Sequence, residues 1–191
     1  MIRFRAAVRG IENLSRDLRA ESRRQARALD TAVRVEGFRL RKQLIADIRR
    51  EAPGGQSWEP LSFIARRRMR RTKALQTLTR AVRYWVPRRS PIEMHIGWVG
   101  PQVSKSWRRI AVRQQEGFTT ETTKVQRRFL ARTGGRMGRS KYKPYHFIRR
   151  DTTTFETPAR PIMEPFWRRQ EPIARANISR NYVRKLRGER I

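Results

Sequence analysis

The sequence contains no cysteine among its 191 residues, and its only histidines are His95 and His146. Disulfides, thiolate nucleophiles and cysteine-based zinc sites are therefore excluded. Neither histidine belongs to a Ser–Asp or metal-ligand pattern, and a structural or exposed side chain is the better interpretation of His95. The acidic residues are scattered, without the spacing of a general acid and base. We predict no catalytic residue, no metal site and no cofactor, and hence a protein that is not an enzyme.

Acidic residues are also scarce. Sixteen Asp and Glu oppose 47 Lys and Arg, which gives a formal charge of +31. A free chain with this charge repels itself and binds polyanions. Arginine supplies most of the excess, and its planar guanidinium forms two-pronged contacts with phosphate or carboxylate. The composition predicts a partner that brings negative charge, either nucleic acid or an acidic protein surface in a larger assembly.

Long hydrophobic runs are missing. No window approaches the roughly 18 apolar residues of a membrane span, and the first residues, Met-Ile-Arg-Phe-Arg, lack the apolar run of a signal peptide. We therefore expect no membrane association. The protein is expected to be made and used in a reducing cytoplasm, or in a particle assembled there.

Aromatic residues are plentiful by contrast, with five Trp, eight Phe and four Tyr. Disordered chains are poor in aromatics, so a packed core is expected. A chain of this length is predicted to form one domain over residues 1–191 and to bury about 70% of its unfolded surface. The residues predicted to be buried anchors lie beside apolar stripes or rigid turns: Trp58, Trp98, Trp107 and Phe166.

Alternation of apolar and polar residues predicts strands near residues 2–8, 92–99 and 145–156. The central strand carries Ile92, Met94, Ile96 and Trp98 on one face. A short helix is predicted to follow it, because apolar residues from Trp107 to Gln114 recur at helical spacing and Gly117 supplies a stop.

Helical spacing also predicts a long helix from Ile11 to about Arg50, a shorter helix or helical loop over 74–85 that Pro87 stops, and a terminal helix from Pro165 to Leu186. Pro172 requires a kink or a fresh start in the last of these. The predicted fold class is α+β: a small antiparallel sheet covered by the long N-terminal helix and the C-terminal helix.

Two arginine-rich segments stand outside this core, one at 66–71 and one within an extended basic arm at 119–144. Like charges this dense repel one another unless a partner neutralises them. We predict that both segments are interface elements that become ordered in an assembly. Their residues are Arg66, Arg67, Arg68, Arg70, Arg71, Arg127, Arg128, Arg132, Arg136, Arg139 and Lys141.

Nucleotide and sequence-specific nucleic-acid sites are not indicated. The glycines near residue 135 lack the spacing of a Walker phosphate loop, and no zinc-finger or RNA-recognition motif occurs. Any contact with DNA or RNA would therefore be to phosphates, independent of sequence and sensitive to salt.

Four short motifs follow one another along the chain: Gly10-Ile-Glu-Asn-Leu14, Ser57-Trp-Glu-Pro-Leu61, Ile110-Ala-Val-Arg-Gln-Gln-Glu-Gly117 and Pro158-Ala-Arg-Pro-Ile-Met-Glu-Pro-Phe-Trp167. In this order they resemble the head–tail joining and tail-completion (neck) proteins of tailed bacteriophages, including the phage virion morphogenesis group. The resemblance spans most of the chain.

The resemblance implies a structural virion protein, not an enzyme, that forms a ring at the head–tail junction around the DNA exit channel. It implies a homo-oligomer of roughly six or twelve copies. The implied neighbours are portal or adaptor proteins, or tail-terminator and tail-tube proteins, with DNA phosphates as a further partner. The expected location is the neck or top of the tail, after assembly in the host cytoplasm. The alternative is a sequence-independent nucleic-acid-binding or packing protein.

Overall fold

The computed structural model describes residues 6–60, 75–89, 92–125 and 153–191. These ranges form the α helices α1 (Ala6–Arg50), α2 (Lys105–Glu116) and α3 (Met163–Leu186). The strands are β1 (Arg83–Arg89), β2 (Ile92–Gly97), β3 (Phe118–Glu121) and β4 (Thr154–Thr157), and short 3-10 turns lie at Pro53–Gly55 and Gln76–Ala81. The strands form two antiparallel pairs, β1–β2 and β3–β4. The protein is therefore α+β, as predicted.

The contacts divide the chain into two compact units, whereas the sequence was expected to form one domain over 1–191. The first unit contains residues 1–108 and 162–191, and the second contains residues 109–161. In the first, α1 packs against α3 and against the β1–β2 hairpin. The second holds the β3–β4 pair.

The core of the first unit is the apolar stripe of α1. Leu40, Leu44 and Ile48 are fully buried, and α3 contributes Phe166 and Ala174. Burial of a Leu or Ile side chain stabilises a fold by roughly 1.5–3 kcal/mol, so this stripe dominates the pairing of the two helices. The helices run antiparallel, since Arg24 contacts Leu186 while Arg39 contacts Gln170.

The predicted N-terminal strand is wrong where the structure describes it. Residues 6–8 belong to α1, which begins at Ala6, and residues 2–5 lie outside the described ranges. Alanine has the highest helix propensity, and adding a residue to an existing helix costs far less than starting one. The helix therefore continues through Gly10, where the sequence predicted a break.

Gly37 determines where the β1–β2 hairpin approaches α1. A Cβ atom at this position would lie 2.7 Å from Met94 Sδ and 2.8 Å from the Tyr84 ring. Only glycine permits this approach of strand side chains to the helix. Gly37, a poor helix former, is thus the contact point between α1 and the β1–β2 hairpin.

The helix predicted over 74–85 is also wrong. The chain forms a 3-10 turn at Gln76–Ala81, and β1 begins at Arg83. Pro87, predicted to stop a helix, lies inside β1 between Trp85 and Arg88, where the pairing register with β2 shifts. Such an irregularity tolerates proline, because a ladder hydrogen bond is already missing there.

The second unit is built on β3 and β4, which pair from Phe118 opposite Thr157 to Glu121 opposite Thr154. The Arg113 guanidinium lies 4.5 Å from the centre of the Phe118 ring, a cation–π contact at the base of this ribbon. The basic arm predicted from residue 119 is wrong at its start, because 118–121 is strand. Residues 126–144 of that arm, and 145–152 of the third predicted strand, lie outside the described ranges.

The predicted ends of α2 and α3 are confirmed. Gly117 follows α2 with a φ of 75°, and Gly188 follows α3 with a φ of 84°. These left-handed conformations end a helix at little cost when the residue is glycine. Pro172 lies inside α3, which continues through it without a new start.

The predicted anchors differ in burial. Trp98 is 7% exposed and Phe166 is fully buried, whereas Trp58 and Trp107 are half-buried. Trp98 also donates a hydrogen bond from Nε1 to the Leu78 carbonyl, at 3.0 Å. This indole therefore fills the core and ties the turn at 76–81 to β2. No helix within the described ranges has the length and apolarity needed to cross a membrane.

Replacing Trp98 with Ala is expected to lower the free energy of unfolding by about 3–5 kcal/mol, because it empties a large aromatic from the core. Urea unfolding of the variant and the parent measures the difference. The half-buried Trp107 provides the control, since Trp107→Ala is expected to cost less. Equal unfolding of Trp98→Ala and the parent would contradict this packing role.

Candidate polyanion-binding surface

A buried ion pair lies within the core of the first unit. Glu36 is 1% exposed. Arg39, one turn further along α1, donates to Glu36 Oε1 from Nη2 at 2.6 Å and from Nε at 2.8 Å. A guanidinium that contacts a carboxylate through two nitrogens forms the strongest type of protein ion pair.

Side chains of α3 complete this network. Gln170 Oε1 accepts from Arg39 Nη1 at 3.1 Å and from Nη2 at 3.0 Å. Asn177 Nδ2 donates to Glu36 Oε2 at 3.2 Å. Moving α3 along α1 would separate Gln170 from Arg39 and Asn177 from Glu36, and the loss of a hydrogen bond to the buried carboxylate costs about 1–3 kcal/mol. The network therefore favours one register of α3 on α1.

That register creates a cationic cleft near the C-terminal end of α3. The cleft has a volume of about 360 Å³. Its lining combines four cations with small residues: Ala20, Arg23, Arg24, Arg27, Ala28, Thr31 and Lys185. The α1 residues 20–27 are all exposed, and Ala28, which follows them, is buried. The cleft is therefore open to solvent.

None of the described residues that line this cleft is a carboxylate. Arg24 is held in place, because its Nη2 donates to the Leu186 carbonyl at 2.6 Å and its Nη1 lies 3.6 Å from Glu21. Within the part of the chain that the structure describes, the side chains of Arg23, Arg27 and Lys185 form no ion pair. Three of the four cations are thus available to an external anion.

Several cations elsewhere on the helices are neutralised locally. On α3, Arg168 pairs with Glu164 at 2.8 Å and Arg175 pairs with Glu171 at 2.6 Å. On α1, Arg34 Nε donates to Asp30 Oδ2 at 2.9 Å, and this hydrogen bond raises the pKa of Arg34 further above its usual value. The cationic cleft differs from these positions because, within the described ranges, three of its four cations have no carboxylate partner.

A second cleft, of about 390 Å³, lies beside the β1–β2 hairpin. Trp85 and His95 form one wall, with ring centres 6.0 Å apart and planes tilted by 47°. His95 Nε2 lies 3.9 Å from Glu93, and Arg108 donates from Nη2 to the Gly100 carbonyl. Its polar groups are thus engaged within the protein, which makes it a weaker candidate than the cationic cleft.

Arg160 is a buried cation in the second unit, at 5% exposure. Its backbone N–H donates to the Gln114 carbonyl at 2.9 Å. Its buried side-chain Nε has no hydrogen-bond partner, and no carboxylate within the described ranges pairs with its guanidinium. An unpaired buried charge costs far more than a paired one, so this position calls for an anion from outside the described residues.

Two glycines, one within a motif and one shortly before another, are required by packing. In the first unit, the turn at Pro53–Gly55 packs on α3, and a Cβ on Gly54, three residues before the Ser57–Leu61 motif, would overlap the Pro165 carbonyl. In the second unit, a Cβ on Gly117, the last residue of the third motif, would lie 2.8 Å from the Ala159 nitrogen. Both glycines have a positive φ. These two positions are therefore constrained by close approach of the backbone.

The cations predicted as interface residues, at 66–71 and 127–141, lie outside the described ranges. Sequence reasoning missed the cationic cleft, because the charges along α1 were interpreted as an ordinary solvated flank. It also missed the buried Glu36. A signal existed for that residue, since it lies three positions after Val33 and four before Leu40, inside the apolar stripe.

Metal chemistry finds no support in the described ranges, which hold no group of three His, Asp or Glu residues able to bind an ion. No protein-family model, curated protein or solved structure matches this chain. The charge, burial and geometry of the described residues are accordingly the basis for assigning a function.

Replacing Glu36 with Ala is expected to cost about 2–3 kcal/mol of unfolding free energy, because Asn177 and the part-buried Arg39 lose a charged partner. The matched control is Glu171→Ala, which removes an exposed pair on α3. That change should cost roughly 0.5 kcal/mol or less. Urea denaturation compares the two, and equal costs would mean that the buried network does not hold the helices.

Proposed function

We propose that this protein is a structural component of a tailed-phage virion, a ring at the head–tail junction around the DNA exit channel. The observation that carries the proposal is the buried Arg160, whose charge has no carboxylate partner within the described ranges. A buried charge of this kind needs a partner of opposite sign from outside the described residues. In the proposed assembly, an acidic group of a neighbouring molecule supplies that partner.

The location of Arg160 adds to this argument. It belongs to the Pro158–Trp167 motif, one of the four segments that resemble the neck and tail-completion proteins. Its backbone is bonded to Gln114 of a second motif. The two motifs are thus joined by a backbone hydrogen bond at a residue whose buried side-chain Nε has no hydrogen-bond partner.

The net charge of the whole chain also supports a role within an assembly. A free protein at +31 repels itself, so it requires a partner of opposite sign. A position around the DNA exit channel, between portal or adaptor proteins and tail-terminator or tail-tube proteins, supplies both phosphates and acidic protein surfaces. A closed ring buries the same pair of surfaces at every junction, and roughly six or twelve copies are proposed from the resemblance. Assembly would occur in the host cytoplasm.

A second candidate function is packing of DNA or RNA without sequence preference. The cationic cleft favours it, because Arg23, Arg27 and Lys185 have no ion-pair partner within the described ranges. Phosphate contacts of this kind would supply binding without base recognition.

Electron microscopy of the purified full-length protein separates these functions. Rings in the absence of nucleic acid are expected for a neck protein, because ring closure depends on contacts between copies. Particles that remain single and coat added DNA would instead favour the packing function.

Arg160→Met provides the test of the buried charge. Methionine fills a similar volume without charge, so the isolated chain should unfold at the same or higher urea concentration. Ring formation, measured by sedimentation at matched protein concentration, should fall at least tenfold. Arg160→Lys keeps the charge and should retain part of the assembly. Loss of folding in Arg160→Met with unchanged assembly of the folded fraction would contradict the proposal.

A further inference from the structure

We propose that the cationic cleft between α1 and the end of α3 binds the phosphate backbone of nucleic acid. The cleft is formed by Arg23, Arg24, Arg27 and Lys185. This assignment rests on the proposed function for the source of the nucleic acid, the DNA that leaves the particle. The lining residues are different from those of the two arginine-rich segments that the sequence indicated.

The charges of the lining residues determine that the ligand must be negatively charged. The described lining of the cleft holds four cations and no carboxylate, while Glu21 lies 3.6 Å from Arg24 at its edge. The C-terminus of α3 contributes a partial charge of about −0.5, and the Arg24 bond to the Leu186 carbonyl offsets part of it. A net charge of about +2 to +3 remains after both are subtracted.

The spacing of the cations suits consecutive phosphates. Arg23 and Arg27 lie one turn apart on α1, which separates them by about 6 Å along the helix axis. Phosphates of one DNA strand recur about every 3.4 Å of the duplex axis, so about two fall within that interval. Lys185 approaches from the other helix and can contact the same strand. Each guanidinium can hold a phosphate through two nitrogens.

The cleft suits nucleic acid better than it suits an acidic protein surface. Arg23 and Arg27 are like charges at i and i+4, which destabilise an isolated helix. Duplex DNA carries about one charge per 1.7 Å, more than an ordinary protein surface presents. The cleft is open along α1, where residues 20–27 are all exposed, so an extended polymer can pass through it.

The experiment measures duplex binding by the full chain as a function of salt. The probe is a mixed-sequence DNA duplex of about 30 base pairs, titrated between roughly 0.05 and 0.3 M KCl. Each neutralised phosphate contributes about 0.9 to the slope of log K against log salt. The double variant Arg23→Gln/Arg27→Gln should therefore reduce the slope by about 1.8.

The matched control is Arg168→Gln/Arg175→Gln, which removes the same charge from exposed positions on α3. Those arginines pair with Glu164 and Glu171, so the slope should change by less than about half as much. An equal change in both variants would show a general charge effect and overturn the site.

A second probe, polyglutamate of the same total charge, distinguishes nucleic acid from acidic protein. The parent should bind DNA more tightly, and the cleft variant should lose mainly DNA binding. If it loses polyglutamate binding equally, the cleft is a protein interface and the nucleic-acid assignment is overturned. Ring formation is measured in the absence of DNA, so a lack of rings would contradict the proposed function alone. The change in the salt slope of DNA binding tests the cleft independently of that result.

Discussion

The fold depends on one buried charge and its partners. Glu36 lies in the apolar stripe of α1, and its carboxylate is compensated by Arg39 on the same helix and by Asn177 on α3. Apolar contacts hold two helices together without strictly fixing their register, because neighbouring registers bury similar areas. A charged group in the same interface adds a preference for the register in which α3 also bonds to the network. Gln170 and Asn177 therefore help to set the position of α3 along α1.

The cationic cleft is a consequence of this register. With Gln170 beside Arg39, the end of α3 falls opposite Arg24, and Lys185 joins the α1 arginines. The remaining part of α1 continues past the end of α3 towards Ala6. Charge neutralised inside the helix pair thus stabilises the fold, while charge at its open end remains available for a partner. The second unit also contains a charge that is available to a partner, because Arg160 is buried without a carboxylate from the described ranges.

Sequence patterns predicted the helices well and the strands poorly. The stripe through Leu40, Leu44 and Ile48 recurs over many turns, so its period is unambiguous. The segment with Val82 and Trp85 is short, and its apolar spacing fits a helix as well as a strand. Pairing with β2 decided the outcome, because strand formation depends on cross-strand neighbours that local spacing does not contain. Pro87 was misinterpreted for the same reason.

By itself, the sequence determined the α+β class, the long first helix, the glycine stops after α2 and α3, and the excess of positive charge. These properties depend on local propensity, periodicity and composition, all of which a linear chain carries. The tertiary structure decided which charges are compensated and which are free. Arg24 and the Leu186 carbonyl are 162 positions apart, and no local pattern relates them. Only the packing of α3 on α1 brings them together, and with them the cations of the cleft.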